Sequence, residues 1–239
     1  MPRIRLVSLS VFAALAVTAL AASTASASIK YEWSVNGTGL AANRTILASV
    51  FADPATPTIT FKSKVFGVKI ELTSSVVTAR RAEIAEPDPP EPGFVDLLGP
   101  LSLLSVLIVK PAHCTVTSNA VEIAGRAEIV EAAPAGSGKA LLLFKPPTGS
   151  PFAKIKFEGS SCAVAGKEAE LAGSVVAEPK AVGSGVQLSW LLKPAGTKSI
   201  NSAGEEETGE LTLSGSEEKV ELTGSVNAEL STLQVWTAL

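Results

Sequence analysis

The chain has 239 residues, 46% hydrophobic and 18% charged, with 20 Lys and Arg against 23 Asp and Glu for a formal charge of −3. So mild an acidic balance lacks the clustered Lys and Arg that nucleic acid requires, and it argues against docking to anionic lipid. A single histidine, His113, excludes metal sites built on two imidazoles, H-E-x-x-H and Cys₂His₂ among them.

Residues 1–27 read as an address. Arg3 and Arg5 form a short basic start, "LVSLSVFAALAVTAL" (6–20) is an apolar run, and Ala25 and Ala27 make an A-x-A cleavage pattern ahead of "SIKYEW". The expected cut lies between Ala27 and Ser28; the alternative is a retained membrane anchor. Cleavage removes two basic residues and no acids, which takes the charge to −5 over 28–239. That length is enough for one large all-β domain or two small ones.

From Ser28 onward the chain reads as strands. "YEWSVNGTGL" (31–40) carries Tyr31 and Trp33 into an Asn-Gly turn. "NGT" and "NRT" match the N-glycosylation pattern, relevant only in a host with that machinery. Alternation of period two follows in "TITFKSK" (58–64) and "GVKIEL" (67–72), with apolar side chains on one face and Lys, Glu, Thr or Ser on the other. "EPDPPEPG" (86–93) holds four prolines and three acids, so an exposed loop is expected there. In "FVDLLGPLSLLSVLIV" (94–109), Asp96 and the Gly99-Pro100 break argue against a membrane helix, and a fully buried strand is expected from Leu101 to Val109.

Cys114 and Cys162 are the only cysteines, and in an exported chain an even pair predicts a disulfide. Closing a loop of about 49 residues would restrict the unfolded chain by roughly 4 kcal/mol. The alternative is two buried free thiols. Neither cysteine lies in C-x-x-C, which argues against redox catalysis. "GSGK" (136–139) suggests a phosphate loop superficially, but the glycine it needs five places before Gly138 is Ala133, and a strand follows instead of a helix. Further alternation marks "AKIKFEG" (153–159), "GELTLSG" (209–215) and "KVELTG" (219–224), separated by turn chemistry at "KPPTGSP", "VGSG" and "KPAGT". The fold expected is an antiparallel β-sandwich or barrel.

One pattern recurs. "IELTSSVVTAR" (70–80), "VEIAGRAEIVE" (121–131), "AELAGSVVAEP" (169–179) and "VELTGSVNAEL" (220–230) align on Glu71, Glu122, Glu170 and Glu221, at intervals of 51, 48 and 51. Gly125, Gly173 and Gly224 follow the Glu by three places, with Ser74 in the first copy, and the two cysteines stand eight places before theirs. Glycine inside a strand marks a bulge or bend, so the pattern reads as architectural. An alternative fold is a small propeller of repeats about 50 residues long.

Taken in order, "YEWSVNGTGL", "TFKSKVFGVKIELTSS", "HCTVTSNAVEIAG", "KIKFEGSSCAVAGKEAELAGSV" and "GELTLSGSEEKVELTGSVNAELSTLQVW" resemble a family of uncharacterised secreted β-rich proteins of high-GC soil actinobacteria. Shared features are a W-x-V-x-G-x-x-L opening, paired cysteine strands and a C-terminal hairpin with a final Trp. The resemblance covers most of the mature chain. Members carry extra cysteines after the K-I-E-L strand, where this chain has Ser74 and Ser75, and the proline-rich loop is a further departure. No activity is known for the group, so the resemblance implies no catalytic residue.

Among side chains that carry chemistry, a Ser-His-acid triad would have to recruit His113 beside Cys114, and no G-x-S-x-G occurs. Paired carboxylates for glycoside hydrolysis would come from Glu83, Glu86, Asp88, Glu91, Glu168, Glu170 or Glu205–Glu207. Trp33 and Trp190 are the candidate ligand contacts, weighed against the ordinary role of Trp as core. The function expected is a non-catalytic secreted or cell-envelope β-domain, structural or interaction-making, without cofactor or metal. A small-ligand or glycan-binding module is the first alternative and a carboxylate-dependent glycoside hydrolase the last. No sorting motif follows Trp236, so release to the medium or loose cell-wall association is expected, with a cell-wall or extracellular partner.

Overall fold

A computed structural model describes residues 31–55, 58–88, 91–98, 100–216 and 218–239. The expected signal peptide at 1–27 lies outside the described residues. Among those described there is no α-helix, and one 3₁₀ turn at Thr117–Asn119 interrupts a succession of strands.

The strands form four long hairpins, 44–86, 94–132, 140–182 and 187–230, each bent at its middle. In the first, Arg44–Ala52 pairs with Val76–Glu86, and beyond the bend Ile59–Val65 pairs with Val68–Ser74. A two-residue turn at Phe66 and Gly67, both at positive φ, closes it, and that turn's twist matches the strands it joins.

The inner halves of the hairpins make a closed ring. Its order is Arg44–Ala52, Val76–Glu86, Phe94–Leu97, Arg126–Ala132, Ala140–Lys145, Val175–Val182, Gln187–Leu192 and Ser225–Leu230, all antiparallel, with the last paired back to the first. This is an up-and-down barrel, closed by its own ladder. Inward positions are filled: Ala48, Ile84, Val95, Ile129, Leu142 and Leu188 are all buried.

The outer halves stack a second ring on the first. It runs Ile59–Val65, Val68–Ser74, Leu107–Lys110, Thr115–Val116, Ala153–Glu158, Glu168–Gly173, Leu211–Leu213 and Lys219–Thr223. Among the described residues its ladder is continuous except between Leu107–Lys110 and Thr115–Val116. The apolar core is continuous through both rings.

Three of the sequence echoes, at Glu71, Glu170 and Glu221, are places where a strand passes from the second ring to the first, and the one at Glu122 lies on Val121–Ile123, which pairs with Leu101–Leu104 alongside the first ring. The breaks fall at Ser75, at Ala124–Gly125, at Ser174 and at Gly224. Next to each repeated Glu an aliphatic residue turns inward, and Leu72, Leu171 and Leu222 are buried. The 50-residue repeat is therefore real, but its unit is a bent hairpin. Ladders run between hairpins as well as within them, so the propeller alternative gives way to a barrel.

Two other expectations are corrected. Leu101 to Val109 is not one buried strand: it breaks at Ser105 (φ 52°) into Leu101–Leu104 and Leu107–Lys110, and Leu107 is 65% exposed. Its second half lies beside the gap in the second ring and turns Leu107 and Val109 outward. In the proline-rich loop, Glu86 and Gly93 are buried, because Glu86 ends a strand of the first ring and Gly93 packs against Trp33 and Ile129.

Two additions complete the first ring. The strands Thr197–Ile200 and Glu206–Gly209 form a flap that extends the edge of Arg126–Ala132 beyond the short strand Phe94–Leu97. Gly209 packs on Val176, part of a second apolar cluster with Val130, Leu141 and Leu143 on the barrel's outer face. At the turn end, Trp33–Val35 pairs with Thr38–Gly39 and with Trp236–Ala238. This small sheet is tied on by Gly93 N–H to Tyr31 O and Trp236 N–H to Gly185 O.

Candidate functional site

The terminal sheet carries Trp33 and Trp236 into the core, where they meet Trp190 of the first ring. Ring centroids are 5.2 Å apart for Trp33 and Trp236, 6.5 Å for Trp190 and Trp236, and 5.6 Å for Phe144 and Trp190. These tilted and edge-on contacts are the geometry aromatic quadrupoles favour. All three indoles are buried. The Trp33 indole N–H donates to Phe94 O and that of Trp236 to Val186 O, each at 3.1 Å. The Trp190 indole N–H has no acceptor among the described residues. The two candidate ligand contacts thus belong to one cluster, within the core.

Below this cluster the waist between the rings holds an apolar cavity of about 80 Å³. Equivalent positions of successive hairpins line it: Val50 and Ile59 in the first, Phe144 and Phe152 in the third, Leu192 and Leu211 in the fourth. Trp190 is in its wall and Trp33 is not. Apart from Gly125, every lining side chain is aliphatic or aromatic. The bends create this space, because strands that change direction there cannot pack their inward side chains as tightly as straight ones.

Three buried carboxylates stand out, Glu86 and Glu131 at the turn end of the first ring and Asp53 at the bend of the first hairpin. Glu86 accepts the Trp33 backbone N–H at 2.9 Å. Burial pushes its carboxyl above the ordinary range, the Trp33 N–H offsets part of that, and the charge of Glu32 adds to the rise. Glu131 accepts Gly138 N–H at 3.0 Å and the Ser137 hydroxyl at 3.2 Å. Burial pushes it up, but the N–H groups of Gly136, Gly138 and Ser137 with the Ser137 hydroxyl outweigh burial and hold it below its usual value. The backbone N–H groups of Gly136, Ser137 and Gly138 in "GSGK" therefore serve the protein's own Glu131, and that of Lys139 donates to the Ser137 hydroxyl. Asp53 accepts the hydroxyls of Ser225 at 2.6 Å and Ser189 at 3.2 Å, and the N–H of Ala55.

The remaining acids are dispersed over the surface. Glu170 pairs with Lys154 at 3.0 Å, Glu206 with Lys198 and Glu207 with Lys145, both at 2.7 Å. Glu168 faces Lys156 across the ladder, and Asp88 accepts the Asn43 side-chain amide. Glu91 and Glu205 are exposed and Glu83 is half-buried. Sequence reasoning passed over Glu178, which binds Lys193 at 2.9 Å, Lys139 at 3.0 Å and Lys180 at 3.8 Å. Its hydrogen bond from Lys193 outweighs burial and, with Lys139, pulls its carboxyl down to about 2. In "VVAEPKAV" only Lys180 is visible beside it, because Lys139 and Lys193, the two nearer partners, come from the start of the third hairpin and the end of Gln187–Leu192.

Cys114 and Cys162 are bonded, with Cα atoms 4.7 Å apart, and join the tips of the second and third hairpins. His113, beside them, is exposed at φ 67°. Among the described residues no three His, Cys, Asp or Glu side chains converge as a metal site, and no helix is long and apolar enough to cross a membrane. No known protein family, curated protein or solved structure matches the chain.

Proposed function

We propose that the protein is a non-catalytic secreted or cell-envelope β-domain, whose work is structural or done through its surface. The observation that carries this reading is how the buried carboxylates are engaged. Glu86 holds the terminal sheet, Glu131 closes a turn, and Asp53 ties neighbouring strands, each through hydrogen bonds within the protein. A hydrolase needs two carboxyl groups facing one substrate across a few ångströms, one of them free to move a proton. Export is supported by the A-x-A start and by the disulfide, which persists in oxidising surroundings. The resemblance to secreted β-rich proteins of soil actinobacteria belongs to the same reading.

Producing the full chain in a Gram-positive host tests it. Mature protein starting at Ser28 is expected in the medium or wall fraction, with no turnover of cell-wall or plant glycans. Retention in the cytoplasm would overturn the export half of the proposal. Glycan hydrolysis abolished by a single Glu→Gln change would overturn the non-catalytic half.

A further inference from the structure

We infer that the groove between the flap and the turn at 133–139 is a binding site for a small organic phosphate, a monoester with a dianionic head and a short apolar body. Lys139, Lys193 and Lys198 line this groove of about 570 Å³, with Glu206 as the one acid among them. Lys198 is answered by Glu206 at 2.7 Å. Lys139, Lys193 and Lys180 share Glu178, at 3.0, 2.9 and 3.8 Å. Four lysines thus stand against two carboxylates, a local excess of positive charge on a mature chain whose formal charge is −5.

That excess is peculiar to this place. The other ion pairs among the described residues match one lysine to one acid: Lys110 to Glu71, Lys145 to Glu207, Lys154 to Glu170 and Lys219 to Glu210. The next acids along these strands are engaged elsewhere. Glu207 is taken by Lys145, Glu205 accepts the Asn201 amide, and Glu131 accepts Gly138 N–H. An ammonium carries three N–H donors, and Lys139 and Lys193 each direct one to the same carboxylate, so both keep donors for an incoming oxyanion. The field these lysines make already pulls Glu178 down to about 2. It acts with the same sign on a second anion.

Charge and lining together define the ligand. A phosphate monoester is close to a dianion above its second pKa of about 6 and offers several acceptor oxygens, which matches the excess, and lysine serves phosphate as a point charge. Nucleic acid does not fit, because it requires an extended basic footprint. Beside the lysines the lining includes Ala132, Ala133, Pro134 and Leu141, and Ala132 and Leu141 belong to the outer apolar cluster. A bare phosphate leaves that side uncovered, whereas a small ring on the ester covers it. The volume lies within the range of about 300–1,000 Å³ usual for small-molecule sites.

The probes are phenyl phosphate, inorganic phosphate and phenol, added to the ¹⁵N-labelled mature full-length protein at pH 7.5 and low salt, where charges are least screened. Phenyl phosphate is expected to shift the backbone N–H signals of Lys139, Gly196 and Thr197 saturably. Inorganic phosphate is expected to bind there at least threefold more weakly, and phenol not at all. Lys193→Gln is expected to weaken phenyl phosphate at least tenfold. Lys145→Gln removes the same charge from the Glu207 pair, outside the groove, and is expected to weaken it less than twofold. Both variants are checked for an unchanged far-ultraviolet spectrum, and Lys139→Gln takes the place of Lys193→Gln if the latter does not fold. Absence of saturable shifts at these signals overturns the site. Equal weakening by Lys193→Gln and Lys145→Gln means attraction to overall charge and overturns it as well. Inorganic phosphate binding as tightly as phenyl phosphate overturns the apolar half of the assignment, and phenol doing so overturns the charged half. The export and the non-catalytic role proposed above do not depend on any of these outcomes.

Discussion

Glu86 and Glu178 are two partly enclosed carboxylates with opposite electrostatic histories. Glu178 lies among three lysines and ionises more readily in the fold than in the unfolded chain. Its contribution to stability is complete above the ordinary carboxylate pKa and is lost as pH falls from there towards about 2. Glu86 is held away from water with a single backbone donor and the charge of Glu32 nearby, so its carboxyl is raised. The fold then binds the proton more tightly than the unfolded chain does, and stability from this group is lost as pH rises above the ordinary range. Melting curves from pH 2 to pH 8 should separate the two. Glu178→Gln is expected to be less stable than the wild type at pH 7, with the deficit gone near pH 2. Glu86→Gln, which keeps an oxygen for the Trp33 N–H, is expected to be more stable than the wild type at pH 7 and equal to it at pH 3. The same sign for both variants at pH 7 would contradict these assignments. Neither behaviour is legible in the sequence, where Glu86 reads as the start of an exposed proline-rich loop and Glu178 as an ordinary strand glutamate.

At the scale of the element, the bends decide the fold. Gly173 has φ 106° and its Cα abuts the backbone oxygen of Glu210, so it combines a backbone conformation closed to L-residues with a space closed to Cβ. Gly173→Ala is expected to cost at least about 2 kcal/mol, since the left-handed region alone costs roughly 1–2 and the clash adds to it. Urea unfolding should show a lower midpoint with an unchanged slope. The recurrence of Glu-aliphatic-x-Gly made these bends readable in advance, and the second ring's strands were readable because one face is solvated. Ile59–Val65, Ala153–Glu158 and Lys219–Thr223 all alternate as half-buried strands do. The first ring was harder to read. Leu141, Leu142 and Leu143 are all buried, because one face fills the lumen and the other belongs to the outer apolar cluster, so the period of two disappears. Leu107–Lys110 misled for the opposite reason: an apolar run on an exposed outer face reads as core. The waist cavity has no local signature at all, since it arises only when four bends meet.

At the scale of the whole molecule, the two rings share one set of strands but not one degree of closure. The first ring is laddered all the way round, and the terminal sheet docks at its turn end with two tryptophans. The second ring is open between Leu107–Lys110 and Thr115–Val116, and Thr115–Val116 is held to Ala153–Glu158 by only two residue pairs. The Cys114–Cys162 bond lies at this weak side, across the junction between the second and third hairpins. Local opening follows low density of buried contacts and ladder hydrogen bonds, so the segment from Leu107 to Ile123 should open before any strand of the first ring. Replacing both cysteines with serine removes the covalent tie and is expected to lower global stability by about 2–4 kcal/mol. Its local effect should be larger than its global one. In native-state hydrogen exchange the variant should lose protection over 107–123 by tenfold or more, while Leu142, Leu188 and Ala228 retain the protection of global unfolding. Equal loss of protection in both rings would mean that they open as a single cooperative unit, and that the bond stabilises the barrel as a whole, not the open side of its second ring.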